Sequence, residues 1–114
     1  MSSRSLRQRL QDILEQQAKE ILAFADGLDY EAFCADAKTV KAVLYDLAVI
    51  GESARSLLPD IQDVYPELPW EGMRAMRNLI VHEYFRVNLR IAWTTIKEDL
   101  PPLIEQVREL IEKV

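Results

Sequence analysis

The residue types best suited to chemistry in this chain lie in one short segment, from Arg77 to Tyr84. The segment contains His82, the only histidine in the protein, with Arg77 five positions before it and Tyr84 two positions after it. Histidine has the unperturbed pKa nearest to neutrality, and it is the usual side chain for proton transfer in catalysis. An arginine beside it could neutralise a phosphate. The segment therefore indicates acid–base chemistry on a phosphate-containing substrate.

RNA is a substrate that such a set could cleave, because RNA carries its own nucleophile, the 2′-hydroxyl beside each phosphate. Cleavage requires a base for that hydroxyl, an acid for the leaving oxygen and positive charge for the phosphorane. His82 can transfer protons, which contributes about 10²–10⁴ in rate, and the guanidinium of Arg77 suits the phosphate charge. Since acid and base are ideally two groups and the chain has one histidine, the hypothesis includes a two-fold homodimer.

The same residues also fit a purely structural interpretation, which residue types alone favour. A histidine near the C-terminus of a helix is stabilised by the helix dipole and often has no other role. Arg77 could pair with Glu52 or Glu83. Tyr84 could be a half-buried aromatic residue with its hydroxyl in water. Clustered polar residues indicate function only as a tendency.

Length and composition predict one soluble globular domain over residues 1–114. The 114 residues, 49% of them hydrophobic and 29% charged, suffice for a single core. Cys34 is the only cysteine, so it forms no internal disulfide, which fits a reducing cytoplasm. The chain begins without the apolar run of a signal peptide, and no stretch reaches the ~18 apolar residues of a membrane span.

The charge distribution narrows the possible partners. A net charge of −5 argues against a general nucleic-acid binder, and DNA is not an expected partner. The charged residues between positions 74 and 90, however, are Arg74, Arg77, Glu83, Arg86 and Arg90. Four positive charges against one negative give this window a local excess of three. Arg74, Arg86 and Arg90 are therefore candidate RNA contacts, with solvated surface charge as the simpler alternative.

Apolar residues at helical spacing predict an all-α, up-and-down four-helix bundle with additional short helices. The four main helices are predicted at roughly 5–26, 39–58, 70–85 and from 88 to near the end. A short helix after Asp29 would carry Phe33 and Cys34. Gly27 is predicted to end the first helix, and Pro59 the second, followed by a connector over 59–69. Pro101-Pro102 is predicted to kink or split the last helix.

Helical geometry predicts how the polar residues are arranged. With 100° per residue, Asn78 and His82 share one side of their helix, and Arg77 and Tyr84 share a neighbouring edge. Together they span an arc of about 160° if the helix stays regular. The apolar residues between them, Leu79 and Ile80, would face the core.

Gly51 and Glu52 lie within an otherwise apolar stripe of the second helix. Gly51 would let another helix approach closely. Glu52 is predicted either to orient Arg77 or His82, or to be an exposed glutamate at the margin of its helix. Elsewhere, Trp70 and Trp93 are predicted as core or interface anchors, with base stacking as a second option. Cys34 is predicted to be a small buried hydrophobe.

The spacing Arg77-X4-His82-X-Tyr84, with Asn78 after the arginine, matches the R-X4-H-X-Y signature of the HEPN superfamily. Further segments resemble its HepT-type branch, in order and at similar spacing. These segments are Ala42–Leu47, Ile50–Glu52, Tyr65–Trp70, Met76–Asn78 and Trp93–Pro101. The ordered set covers nearly the whole chain and is far more specific than the short signature. Ser53 is a slight departure, since alanine often follows the Gly-Glu pair.

The resemblance implies an all-α, homodimeric, metal-independent ribonuclease that uses no cofactor. Such proteins are toxins of type VII toxin–antitoxin pairs, and their partner is a minimal nucleotidyltransferase antitoxin of the MntA type. Arg77 and His82 would be the catalytic pair, with Asn78 in support. Tyr84 would be the residue that the antitoxin adenylates, which would place a bulky anionic group beside Arg77 and repel RNA.

Two other functions remain open at the level of sequence, because HEPN domains also include non-catalytic binders. One is a helical interaction module that docks a minimal nucleotidyltransferase without cleaving RNA. The other is a dimeric helical scaffold that has no nucleotide partner. Cleavage of RNA by the purified protein separates the first hypothesis from both.

Overall fold

The computed structural model describes residues 5–61 and 69–113, apart from the side chains at 14, 15, 57–61 and 70. The described chain is helical, and no strand occurs within these ranges. The α-helices are α1 (Leu6–Asp12), α2 (Lys19–Ala25), α3 (Tyr30–Ala35), α4 (Ala37–Ile61), α5 (Trp70–His82), α6 (Leu89–Thr94) and α7 (Leu100–Lys113). A π-helical segment, Ile13–Ala18, joins α1 to α2, and a second, Thr95–Asp99, joins α6 to α7. A 3₁₀ turn, Tyr84–Arg86, follows α5. Four long helical rods and short pieces result, which confirms the predicted all-α fold.

Local sequence signals account for where several helices begin and end. Ser5 and Gln8 form a capping box, in which the Gln8 N–H donates to Ser5 Oγ at 3.1 Å and the Ser5 N–H donates to Gln8 Oε1 at 3.0 Å. After α2, Gly27 adopts φ +78°, a conformation that favours glycine, as its predicted role at the helix end requires. Asp29 caps α3 by accepting the Ala32 N–H at 2.8 Å.

Pro59 lies near the end of its helix, whereas Pro101 lies at the start of one. The prediction that Pro59 ends the second helix is wrong, because α4 continues to Ile61. A proline this close to a helix end removes one hydrogen bond and leaves little helix beyond it to disrupt. The connector predicted over 59–69 lies mostly outside the described residues. Pro101 and Pro102 lie in the first turn of α7 and, having no N–H, donate no hydrogen bond to the preceding turn. The π-helical segment directly before α7 is the predicted interruption of the last helix.

The core lies between the rods and uses the inward faces that the apolar spacing predicts. Its side chains include Leu10, Ile13, Ile21, Val43, Leu44, Leu47, Ile50, Ile80, Ile96, Leu100, Leu103 and Val107, all buried. Phe33 is fully buried and packs on Trp93 with 5.1 Å between ring centroids, so Trp93 is the predicted core anchor. The prediction for Cys34 is wrong, because Cys34 is exposed. On a helix this short, Phe33 takes the inward position and its neighbour turns outward.

No helix in the described part of the chain combines the length and the apolar character that crossing a membrane would demand.

Asp46 is the one charged side chain buried in the described core, and the sequence did not predict its burial. The side chain is 3% exposed, and its Oδ2 has no hydrogen-bond partner among the described residues. Burial, a hydrogen bond with Glu20 and the negative charge of Glu20 raise the pKa of Asp46 to about 7. The carboxyl group of Asp46, between α2 and α4, therefore changes its charge near neutral pH.

We expect this carboxyl to make the protein less stable as pH rises. The folded protein keeps the Asp46 proton up to about pH 7, whereas the unfolded chain releases it near pH 3.8. Stability that is present at low pH is therefore lost as the pH rises between these two values. Between about pH 4.5 and 8, the free energy of unfolding of Asp46→Asn should decrease less than that of the wild type, by a difference of roughly 2 kcal/mol or more. Urea unfolding of both proteins at the two pH values measures it. Asp26→Asn, at an exposed site, should follow the wild type, and a parallel profile for Asp46→Asn would contradict the prediction.

Candidate active site

The end of α5 determines where the candidate residues lie. The helix runs regularly from Trp70 to His82 and ends at Glu83, whose φ of −138° and ψ of 44° leave the helical region. The predicted extension to Phe85 is therefore wrong, and Tyr84 belongs to the separate 3₁₀ turn. Asn78 and His82 do share one side of α5. The predicted arc including Tyr84 does not form, because it assumed a regular helix beyond His82.

A glycine sets the distance between α4 and α5. At Gly51 an added Cβ would overlap the Cβ of Arg77 and lie 2.5 Å from the carbonyl oxygen of Met73. Both neighbours belong to the body of α5 rather than to a flexible side-chain end. Gly51 therefore allows the close helix approach that the sequence predicts, and this contact occurs at the base of Arg77.

Arg77 is held by two polar groups at this contact. Its Nε lies 2.9 Å from Oε2 of Glu52, the residue after Gly51 on α4, and its Nη1 donates to Asn78 Oδ1 at 2.9 Å. Glu52 also contacts Arg55 at 3.2 Å. The Arg77 side chain is 22% exposed and that of Glu52 is 52% exposed. The guanidinium is thus held through Nε and Nη1, and its Nη2 forms no hydrogen bond or ion pair in the described part of the chain.

His82 differs from Arg77 in having no anchor. It is the last residue of α5, it is exposed, and no described residue forms a hydrogen bond with its ring. Five helical positions separate it from Arg77, which corresponds to about 140° around the axis and about 7.5 Å along it. Within the chain the two side chains therefore start from different faces of α5.

The turn after His82 presents two aromatic rings to solvent. Tyr84 and Phe85 meet edge to face, with centroids 5.5 Å apart and planes at 88°. Tyr84 is 36% exposed and Phe85 is 98% exposed. Val81, on the last turn of α5, is also an exposed apolar residue.

The three arginines proposed as RNA contacts have different surroundings. Arg74 pairs with Glu71 at 2.6 Å, which offsets its charge. Arg90 lies over the ring of Tyr30, 3.7 Å from its centroid. Arg86 is exposed in the 3₁₀ turn and forms no ion pair in the described part of the chain. Among the described residues, no three acidic, histidine or cysteine side chains lie close enough to hold a metal ion.

The family model of HepT-like ribonucleases matches residues 14–110 of this chain. The chain belongs to the HepT-like ribonuclease family. The match spans α2 to α7 with the whole of the α4–α5 contact, and it confirms the resemblance seen in the sequence.

Named relatives agree with this membership. The chain is 40% identical over 101 residues to a Thermococcus cleftensis protein named "Probable ribonuclease HepT", covering 88% of this chain and 90% of that protein. A Methanocaldococcus jannaschii protein named "Putative RNase" is 36% identical over 114 residues, covering 100% and 93%. Another of that name, from Caldanaerobacter subterraneus, is 34% identical over 98 residues, covering 86% and 88%. No solved structure matches the chain.

In this HepT-like chain the structure brings only some of the sequence-predicted site residues into contact. Arg77, Asn78 and Glu52 form one cluster. Glu52 combines both of its predicted roles, since it is an exposed residue at the helix margin and also the partner of Arg77. His82 and Tyr84 follow at the end of α5 without a described contact to that cluster.

Phe85 is the feature of this surface that sequence reasoning missed in the HepT-like chain. A helix predicted to reach residue 85 hides the change of direction at Glu83, which turns the following side chains outward. The available signal was the polar run His82-Glu83 before two aromatic residues, which breaks the apolar spacing of α5.

Proposed function

We propose that this protein is a metal-independent RNA endonuclease that acts as a homodimer in the cytoplasm and is the toxin of a toxin–antitoxin pair. Membership of the HepT-like ribonuclease family supports the reaction class. The observation that carries the proposal is the contrast between the two catalytic candidates on α5. Arg77 is anchored by Glu52 and Asn78, whereas His82 at the helix end is exposed to a substrate.

The chemistry follows from these two side chains. A neutral imidazole takes the proton of the 2′-hydroxyl, and O2′ attacks the adjacent phosphorus. The bond from phosphorus to O5′ breaks while an imidazolium gives O5′ its proton, which leaves a 2′,3′-cyclic phosphate and a 5′-hydroxyl. The positive charge of Arg77, with its Nη2 facing the substrate, stabilises the charge on the phosphorane. The contacts of Nε with Glu52 and of Nη1 with Asn78 keep the guanidinium in place, so little reorganisation is needed during the reaction.

A homodimer supplies what one protomer lacks. The reaction uses a base and an acid, and each chain has one histidine. A two-fold axis near the end of α5 would place two copies of His82 around one phosphate. It would also reconcile the roughly 140° between Arg77 and His82 on one helix, because the arginine of one protomer could serve the histidine of its partner.

The test is cleavage of a cellular RNA pool by the purified protein in excess EDTA. We expect fragments that end in 2′,3′-cyclic phosphate and begin with a 5′-hydroxyl, produced at an unchanged rate when the chelator is varied. Cleavage that requires an added divalent ion, or fragments that begin with a 5′-phosphate, would overturn the proposed mechanism.

Neutralisation by a nucleotidyltransferase antitoxin is the second part of the proposal, with Tyr84 as the modified residue. The Tyr84 oxygen would attack the α-phosphate of ATP and release pyrophosphate, which leaves an adenylate on the ring. The side chain is partly exposed and lies two residues after His82. A bulky phosphodiester there would obstruct the site and repel RNA.

Intact-mass measurement after incubation with the antitoxin and ATP tests this modification. Wild-type protein should gain adenylate-sized increments and lose RNA cleavage, and Tyr84→Phe should gain none. Tyr45 is a matched control, because it is 69% exposed and belongs to α4 rather than to the 3₁₀ turn. Tyr45→Phe should be modified like the wild type, and increments that persist in Tyr84→Phe would place the modification elsewhere.

A further inference from the structure

We infer that Phe85 is a stacking platform for a nucleobase of the RNA beside the phosphate that is cleaved. This inference rests on the proposed function, since it assigns a binding residue to the same site. Phe85 is 98% exposed, and the other large hydrophobic side chains exposed in the described chain are no more than 69% exposed. It lies three residues after His82. An aromatic ring this exposed, three residues from a candidate catalytic residue, is available to a ligand of the same site.

The 3₁₀ turn holds the ring away from the core. The Arg86 N–H donates to the Glu83 carbonyl at 2.8 Å and the Val87 N–H donates to the Tyr84 carbonyl at 3.3 Å, which defines the backbone of the turn. Tyr84 meets the ring of Phe85 edge to face. Because Phe85 stays 98% exposed, this contact leaves a flat surface open, and flat open aromatic surface is what a base needs to stack.

The charges near Phe85 in the sequence suit a nucleic-acid ligand. Arg86 is adjacent and exposed, and Arg90 follows at the start of α6 over the ring of Tyr30. Glu83 is the only acidic residue between positions 82 and 90. Cations interleaved with exposed aromatic rings are typical of surfaces that bind single-stranded nucleic acid, where the cations neutralise phosphates and the rings stack on bases.

The role is one of binding and positioning. A stacked base fixes the nucleotide next to the scissile phosphate, so its loss should weaken RNA binding and raise KM before it affects kcat. Every base has a flat face, so stacking at Phe85 should tolerate all four bases. Loss of one stack should weaken binding by roughly tenfold or more.

The experiment measures binding of a short 2′-O-methyl RNA, which cannot be cleaved, to wild type, Phe85→Leu and Phe85→Trp. Leucine keeps an apolar side chain but removes the aromatic face, whereas tryptophan keeps the face. We expect Phe85→Leu to bind roughly tenfold or more weakly and Phe85→Trp to bind at least as well as wild type. An RNA of the same sequence that lacks one base should bind wild type as weakly as the intact RNA binds Phe85→Leu. Phe85→Leu should bind the RNA that lacks the base no more weakly than it binds the intact RNA.

Controls separate this role from the other possibilities. Phe24→Leu, at a phenylalanine on α2 that is 39% exposed, should bind RNA like wild type. Oligomeric mass from light scattering should be the same for wild type and Phe85→Leu. If Phe85→Leu becomes monomeric, Phe85 belongs to an interface between copies and the inference is wrong. It is equally wrong if Phe85→Leu binds RNA as well as wild type.

Failure of this inference is distinguishable from failure of the proposed function. Wild type that cleaves RNA in EDTA, with Phe85→Leu binding unchanged, would remove the stacking role and leave the nuclease in place. Binding that depends on Phe85 without any cleavage by wild type would keep the stacking role and remove the nuclease. Wild type that neither binds nor cleaves RNA would overturn both.

Discussion

Replacement of His82 by alanine is expected to reduce RNA cleavage in EDTA by at least about 10²-fold, the lower end of what a positioned proton-transfer group contributes. The variant removes the only imidazole of the chain, and therefore both the acid and the base of the proposed homodimer. Initial rates with wild type and variant at equal concentration measure the effect.

Stability should change little in this variant, so the loss of activity can be assigned to chemistry. His82 is exposed, forms no hydrogen bond with a described residue and ends its helix, so its truncation opens no cavity. The expected change in the free energy of unfolding is within about 1 kcal/mol, the size of a helix-dipole contribution. Circular dichroism and urea unfolding provide the check.

Arg77→Ala should cause a loss of similar size, and the two changes should not add. Residues that act as a unit in one step show this non-additivity, so the double variant should be about as slow as either single variant. Arg108→Ala is the matched control, because Arg108 is also a helical arginine, is paired with Glu105 at 2.7 Å and lies on α7. Undiminished chelator-resistant cleavage by His82→Ala would contradict the mechanism.

Much of the fold follows from local sequence signals. The apolar spacing predicts the four rods, since burial of one stripe per helix is the dominant stabilising term. Capping signals at Asp29 and Asn88 are local and hold in the structure, where Asn88 accepts the Arg90 N–H at 2.9 Å. Gly51 is predictable for the same reason, because a glycine within an apolar helical stripe has few roles other than a close helix approach.

Other features depend on contacts between distant parts of the chain. Asp46 has the sequence surroundings of a surface residue, and only the packing of α2 against α4 buries it beside Glu20. The inward position on α3 goes to Phe33 rather than Cys34 because of where Trp93 lies on α6. The end of α5 at Glu83 follows no glycine or proline, so neither of the usual helix-ending residues announces it.

In the candidate site, too, some features follow from local sequence and others depend on how the helices pack. The sequence named Glu52 as one possible partner of Arg77, and the structure selects it because Gly51 brings α4 against α5 there. The sequence could not separate the anchored Arg77 from the unanchored His82, since the two lie on one predicted helix. The exposure of Phe85 becomes apparent only once α5 is known to end before it.

Gly51→Ala is expected to destabilise the protein, although alanine is the better helix former. The new Cβ would overlap the Cβ of Arg77 and press on the carbonyl oxygen of Met73, so the two helices must separate. Overpacking of this kind costs about 1–3 kcal/mol, and the gain in helix propensity offsets at most about 1 kcal/mol of it. Cleavage should fall as well, because separation of the helices withdraws Glu52 from Arg77 and frees the guanidinium.

Gly72→Ala is the matched control for Gly51→Ala, because Gly72 is also a helical glycine but a Cβ there would meet nothing within 4 Å. This variant should gain about 0.5–1 kcal/mol through reduced freedom of the unfolded chain and leave cleavage unchanged. Urea unfolding and initial cleavage rates of both variants supply the measurement. Opposite signs in stability would show that the space at Gly51, rather than helix propensity, controls the α4–α5 contact. Wild-type stability in Gly51→Ala would mean that α4 and α5 do not pack at this distance, and Arg77 would then lose the anchor on which its proposed role depends.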